Sequence, residues 1–166
     1  MKILIWVREG TWPACVDAAR DLAGSQPAGT QPAEVTLICV REQSPGPPDP
    51  GFGSLIGLGR RQKAAEQIDQ LSREAAETML SQARERLGQD AAVRLESGFP
   101  ERVVTAAADG TDYLILGRDG DRSRLGPSSL GKHTRFVVDH APCRVLLIWP
   151  DLVPDLGSIP PPPPDR

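Results

Sequence analysis

Residues 112–149, DYLILGRDGDRSRLGPSSLGKHTRFVVDHAPCRVLLIW, contain the clearest evidence for the fold. It begins with an apolar run, DYLILG, and ends with a second one, RVLLIW, and such runs are typical of strands buried in a parallel sheet. Between them lie a glycine-rich loop and a helical segment, residues 132–140, which Pro142 ends. A strand, a crossover helix and a second strand form a βαβ unit, so the stretch predicts a parallel sheet.

The same alternation of strands and helices extends to the N-terminus. Further strands are predicted at residues 2–7, 34–40 and 91–96, and further helices at residues 13–24, 60–87 and 100–108. Thr11 is predicted to cap the first of these helices. The order βαβαβαβαβ therefore predicts an α/β protein: a doubly wound, five-stranded parallel sheet with helices on both faces, similar to a Rossmann fold.

Two segments rich in proline and glycine interrupt this pattern. Ser44–Gly59, SPGPPDPGFGSLIGLG, cannot sustain a helix or a strand, and we expect a long mobile loop there. Pro150–Arg166 contains five consecutive prolines, and we expect it to be disordered or extended, either as an inert tail or as a polyproline ligand. The sequence thus predicts one domain at residues 1–150 and a proline-rich tail at residues 151–166.

Composition and charge disfavour several classes of protein. The 166 residues include 19 Lys and Arg against 22 Asp and Glu, and a net charge of −3 argues against binding nucleic acid or an anionic membrane. The first apolar run, Ile3–Val7, is shorter than a signal-peptide core or a bilayer span, so we expect a cytoplasmic protein. Cys15, Cys39 and Cys143 form no CxxC pair, and we expect them to be reduced.

The glycine-rich loop meets the requirements of a phosphate site. Gly117 and Gly120 follow a strand at the end where open parallel sheets bind ligands, and Gly131 leads into a helix whose N-terminus attracts anions. Further hydrogen-bond donors are the side chains of Ser128, Ser129, Lys132 and Thr134. The alternative is that the glycines only allow a flexible turn.

Other types of site receive less support from the sequence. Gly126–Lys132, GPSSLGK, is close to the P-loop pattern, but His133 replaces the required Ser or Thr, and only one strand follows. The two histidines, His133 and His140, have no third ligand at a suitable spacing, so no metal site is predicted. No nucleophile, base and acid are suitably arranged, so no catalytic residue is assigned.

Residues 97–120, SGFPERVVTAAADGTDYLILGRDG, resemble the universal stress protein family, and so does HAPC at residues 140–143. The nucleotide pattern of that family is Gly, two residues, Gly, nine residues, Gly, then Ser or Thr. Gly117, Gly120 and Gly131 match it with one extra residue in the long gap. The resemblance implies a sheet like that of the adenine nucleotide alpha hydrolases. It also implies a homodimer through the last strand, Arg144–Trp149, and a stress-response role through ATP with magnesium or through an unidentified protein partner.

The resemblance also implies roles for single residues. The implied nucleotide-binding residues are Val40 beside adenine, Gly117, Gly120 and Gly131 along the phosphates, and Thr134 as a hydroxyl donor; Lys132 joins these candidates because of its charge. Arg8 stands where ATP-binding members have an acidic residue, and Lys132 stands where they have Ser or Thr. Lys132 can bind a phosphate as a point charge, crowd the loop or face solvent.

Three hypotheses of function remain open at this point. The first is a regulatory module that binds ATP or a related adenine nucleotide without substantial turnover. The second is a dimeric adaptor of the same fold that acts through protein contacts and needs no nucleotide. The third is an ATP-using enzyme, which requires a placed acid, base or metal carboxylate that the loop does not provide.

Overall fold

The computed structural model of the chain describes residues 1–42 and 58–161, except for the side chains of residues 58–61. The strands are β1 (Lys2–Trp6), β2 (Glu34–Glu42), β3 (Ala91–Gly98), β4 (Tyr113–Gly117) and β5 (Arg144–Ile148). The helices are α1 (Trp12–Gly24), α2 (Leu58–Leu87), α3 (Pro100–Ala107) and α4 (Lys132–His140).

The five strands form one parallel sheet in the order β3-β2-β1-β4-β5. The central strand β1 pairs with β2 on one side and with β4 on the other, so that Ile5 lies opposite both Leu37 and Ile115. Strands β2 and β3 are thus added on one side of β1, and β4 and β5 on the other, so the order of addition reverses between β1 and β4. Such a switch point leaves a crevice at the carboxyl ends of the two strands.

Helices cover both faces of this sheet. Along β1, Ile3 and Ile5 belong to one buried apolar cluster, whereas Leu4 and Trp6 belong to the other, because successive strand residues face opposite sides. The first cluster includes residues of α1 and α2, and the second includes residues of α3 and α4. The predicted doubly wound, five-stranded fold is therefore confirmed.

The two halves of α2 differ in their surroundings. From Ala76 onward, the helix packs on the sheet through buried side chains, including Leu80, Ala83 and Leu87. By contrast, every residue from 62 to 75 is exposed. The first half of α2 therefore projects beyond the part of the sheet that the second half covers.

Thr11 is the N-cap residue of α1, as predicted, but its side chain makes no capping hydrogen bond, because its hydroxyl donates to the carbonyl oxygen of Arg8 at 3.3 Å. The loop predicted at Ser44–Gly59 falls mostly on residues 43–57, which lie outside the described residues.

The beginning of the predicted tail contains a short 3₁₀ helix, Leu156–Ser158. The Ser158 hydroxyl accepts a hydrogen bond from the backbone N–H of Leu125 at 3.0 Å, so this segment contacts the glycine-rich loop. Residues 162–166 lie outside the described part, and the domain boundary after residue 150 remains a prediction.

None of the three cysteines is in a disulfide. Cys15, Cys39 and Cys143 are free, and the first two are buried. Burial raises the pKa of the Cys15 thiol to about 12, so this thiol is an apolar packing group at neutral pH. In the described part of the chain, no helix combines the length and the apolar character that crossing a membrane requires.

Candidate functional site at the switch point

Three glycines at the switch point allow parts of the chain to approach closely. A Cβ at Gly117 would lie 2.5 Å from the Cβ of Thr11, and one at Gly120 would lie 2.3 Å from the backbone oxygen of Ser128. Both distances are shorter than real Cβ contacts, so the packing at these positions requires glycine. The glycines at 117 and 120 thus fit the loop against the protein itself.

Hydrogen bonds within the loop use several donors that the sequence assigned to a ligand. The backbone N–H of Gly120 donates to the carbonyl oxygen of Ser129 at 2.9 Å. The Ser129 side chain is fully buried, and its hydroxyl donates to the carbonyl oxygen of Gly126 at 2.7 Å and accepts from Arg118. Ser129 therefore stabilises the loop, and the interpretation of its hydroxyl as a ligand donor does not match this geometry.

The carboxylate of Asp119 lies against the N-terminus of α4. One of its oxygens, Oδ1, accepts a hydrogen bond from the backbone N–H of Gly131 at 2.8 Å. The other, Oδ2, forms an ion pair with Arg8 and lies 2.8 Å from where a Cβ of Gly131 would be. A helix N-terminus favours negative charge, so the protein places its own anion where the sequence pattern predicted a phosphate.

Arg8 joins the end of β1 to the start of α4. Its Nη1 bonds both the Asp119 carboxylate and, at 3.2 Å, the hydroxyl of Thr134. The guanidinium also lies over the Trp6 ring, 4.7 Å from the ring centre. Thr134 is completely buried, so its hydroxyl meets Arg8 rather than solvent.

An open cleft of about 600 Å³ lies between the end of β2 and α2. Val40 lines it, together with Glu9 and Trp12 from the segment after β1. Residues of α2, including Ala75 and Met79, form the opposite wall. The structure thus brings Gly117, Gly120, Gly131 and Thr134 together at the switch point, and places Val40 in a cleft beside the end of β1.

His133 connects α4 to two neighbouring elements. Its Nδ1 lies 2.6 Å from Oε2 of Glu101 on α3, and its Nε2 lies 3.5 Å from Oε1 of Glu42 at the end of β2. A hydrogen bond from its own backbone N–H, together with the bond to His133, lowers the pKa of Glu101 below its usual value of 4.5. His133 therefore links α4 to α3 and to the end of β2 through two carboxylates.

Lys132 was predicted to bind a phosphate. Lys132 is the first residue of α4 and is exposed. Across residues 1–42 and 58–161, no three His, Cys, Asp or Glu side chains are grouped so that they could hold a metal ion.

Sequence reasoning missed the Asp119 carboxylate and treated Arg8 only as the loss of an acidic residue. The available clue was positional: the two residues carry opposite charges and closely follow β1 and β4. Neighbouring parallel strands end at the same edge of a sheet, so such a pair is placed to meet. Arg118 was also missed; its guanidinium lies 4.7 Å from the centre of the Trp149 ring and joins the loop to the end of β5.

Comparison with known proteins identifies the family. A model of the Universal stress protein family matches residues 15–148. The chain belongs to the universal stress protein family. No curated protein matches the sequence.

Solved structures of universal stress proteins share the fold at low sequence identity. The protein UspA from Lactobacillus plantarum is 20% identical, with a TM-score of 0.57 over 89% of this chain and 97% of that one. A universal stress protein in complex with cAMP is 16% identical, with a TM-score of 0.55 over 91% and 98%.

A family member from Arabidopsis thaliana with AMP bound is 17% identical, with a TM-score of 0.52 over 96% and 95%. At these identities the similarity establishes the shared architecture. The bound nucleotides are properties of those proteins.

Proposed function

We propose that this universal stress protein is a regulatory module that binds an adenine nucleotide at the carboxyl edge of its sheet. It acts in the cytoplasm, in the stress response, without substantial turnover. The observation that carries the proposal is the cleft of about 600 Å³ beside the switch point, with Val40 in its wall. Ligand pockets have volumes of roughly 300 to 1,000 Å³, and doubly wound sheets bind ligands at this edge.

The cleft suits the base and sugar better than the loop suits a triphosphate. Trp12, Val40 and Met79 offer apolar surface to a base, and Glu9 and Glu42 offer hydrogen-bond acceptors. The complexes of related folds with cAMP and AMP support the adenine part of the proposal. ATP with magnesium was the expectation from sequence, but the loop around Gly131 already holds a carboxylate. The residues present therefore do not fit a triphosphate as they stand.

Titration calorimetry with AMP tests the proposal, using variants of two exposed alanines on α2. Ala75 lines the cleft and Ala64 lies outside its lining, so Ala75→Trp fills the cleft whereas Ala64→Trp adds the same bulk elsewhere. We expect AMP to bind the wild type at micromolar concentration and Ala75→Trp to weaken binding at least about tenfold, or 1.4 kcal/mol. Ala64→Trp should leave the affinity unchanged.

A second candidate function is a nucleotide-independent adaptor that acts through protein contacts. Its support is that the Gly131 N–H and the Thr134 hydroxyl are both engaged inside the protein. The same titration separates the two candidates. Absence of AMP binding up to millimolar concentration contradicts the nucleotide-binding proposal and favours the adaptor.

We also propose that the protein is a homodimer through Arg144–Trp149. Strand β5 is an edge strand of the sheet, and its side chains at residues 145–148 are only half-buried. An unpaired edge can join a second copy through backbone hydrogen bonds and side-chain burial. Sedimentation velocity across a range of concentrations tests this; a monomer at every concentration contradicts it.

A further inference from the structure

The anion position at the start of α4 is already occupied by a side chain. The Asp119 carboxylate takes the Gly131 N–H, with an N···O distance of 2.8 Å, and pairs with Arg8. Its side chain is only 13% exposed, whereas that of Arg8 is 33% exposed. The negative charge is therefore held inside the loop, and its positive partner extends toward solvent.

This arrangement opposes a polyphosphate in two ways. A phosphate that approaches the Gly131 N–H must displace the carboxylate, because Asp119 Oδ1 already accepts the hydrogen bond of that N–H at 2.8 Å. A phosphate that stays beside the carboxylate meets a like charge at close range in a partly buried place, where screening by water is weak. Each added phosphate increases this repulsion.

A single phosphate avoids the first obstacle and carries the least charge against the second. Within the described residues, Arg8 bonds to other side chains only through Nη1, so its Nε and Nη2 remain as donors on a side chain that is one-third exposed. A guanidinium presents several N–H groups in one plane and binds phosphate well. One phosphate at Arg8 replaces solvent without entering the loop at Gly131.

We propose that Asp119 determines which adenine nucleotides the site accepts, admitting those with one phosphate and disfavouring ATP. This inference rests on the proposed function and specifies its ligand. The alternative is that Asp119 only stabilises the N-terminus of α4, as anions at such positions do. That alternative predicts a change in stability and no change in nucleotide preference.

Calorimetric titration of the full chain with AMP, and separately with ATP and magnesium, decides between the two roles. The test variant is Asp119→Asn, which keeps an oxygen for the Gly131 N–H and removes the charge. The matched control is Asp121→Asn, because Asp121 accepts from Ser123 in the same loop and does not bond Gly131. Asp119→Glu serves as the variant that keeps the charge.

We expect the wild type to bind AMP more tightly than ATP. Removing the charge in Asp119→Asn should raise the ATP affinity at least about tenfold and the AMP affinity by less, since the repulsion that is lost grows with each added phosphate. Asp121→Asn and Asp119→Glu should retain the wild-type preference. Thermal unfolding of each variant checks that the fold is intact.

Two results overturn the inference while leaving the proposed function in place. One is that the wild type binds AMP but binds ATP as tightly or more tightly. This result needs no variant, so it counts even if Asp119→Asn does not fold. The other is a gain in ATP affinity that is no larger for Asp119→Asn than for Asp121→Asn. If neither nucleotide binds the wild type or Asp119→Asn, the proposed function fails, and the inference fails with it.

Discussion

The carboxyl edge of the sheet is closed by internal contacts beside β1 and β4 and is open beside β2. On the side of β1 and β4, charged and backbone groups bond to each other, as Asp119 does with Arg8 and Gly120 with Ser129. On the side of β2 there is an open cleft, and the first half of α2 projects past it. A glycine-rich loop with the spacing of a phosphate site can therefore hold one of the protein's own carboxylates, while the open space lies beside the neighbouring strand.

The largest expected effect concerns the side with α2. Leu80 is 2% exposed in the packed half of the helix, and Leu71 is 65% exposed in the projecting half. Leu80→Ala removes buried methyl groups and leaves a cavity, which should lower the free energy of unfolding by about 2 to 5 kcal/mol. Leu71→Ala should change it by less than about 0.5 kcal/mol.

Urea denaturation of both variants measures these values. Equal losses for Leu80→Ala and Leu71→Ala would break the contrast between the two halves of α2. They would mean that the projecting half packs against another part of the molecule or against a second copy.

An intermediate effect is expected in the glycine-rich loop. In Gly120→Ala the new Cβ meets backbone atoms of Ser128 and Ser129 that cannot rotate away, so we expect a loss of about 1 to 3 kcal/mol. The control is Gly24→Ala at the end of α1, where nothing lies within 4 Å of the added Cβ. That change should be neutral or stabilise by up to about 1 kcal/mol.

Denaturant unfolding of the two glycine variants sharpens the comparison of the two sides. If the loop packs as tightly as the structure indicates, the free energy of unfolding must be lower for Gly120→Ala than for Gly24→Ala. If Gly120→Ala is as stable as Gly24→Ala, the loop is more open in solution than the bonds of Gly120 to Ser129 imply.

The fold was readable from the sequence because its determinants are local and repetitive. Continuous apolar runs such as DYLILG require a sheet covered on both faces, and alternation with amphipathic helices leaves few topologies. The boundaries agree closely as well: α4 was predicted at residues 132–140, and the structure has Lys132–His140. The start of α2 differs by two residues, since helix ends depend on weak local contacts.

The site was less readable because its main contact is not local. Arg8 and Asp119 are 111 residues apart, and only the order of the strands brings them together. Glycine spacing identified the loop but not what fills it, because the same residues suit an incoming phosphate and an internal carboxylate equally well. The proposed roles of Val40, Lys132 and Thr134 remain predictions for the same reason.

The smallest expected effect concerns the link between the two sides. His133 on α4 contacts Glu101 on α3 and Glu42 at the end of β2, so it joins the loop to the strand beside the cleft. The pKa of Glu101 lies below its usual 4.5 in the folded protein, because its own backbone N–H and then His133 bond the charged form. Its contribution to stability is therefore present above pH 4.5 and is lost as the pH falls through the folded pKa.

Glu101→Gln should accordingly make the free energy of unfolding less dependent on pH below 4.5. At neutral pH its cost should be under about 1 kcal/mol, since contacts of this kind near the surface contribute little. Glu77→Gln, exposed on α2, removes one carboxylate without touching His133 and serves as the control. If urea denaturation from pH 7 to pH 3 gives the same acid slope for wild type and Glu101→Gln, the charged form of Glu101 does not stabilise the folded protein, and this link between the two sides contributes nothing to stability.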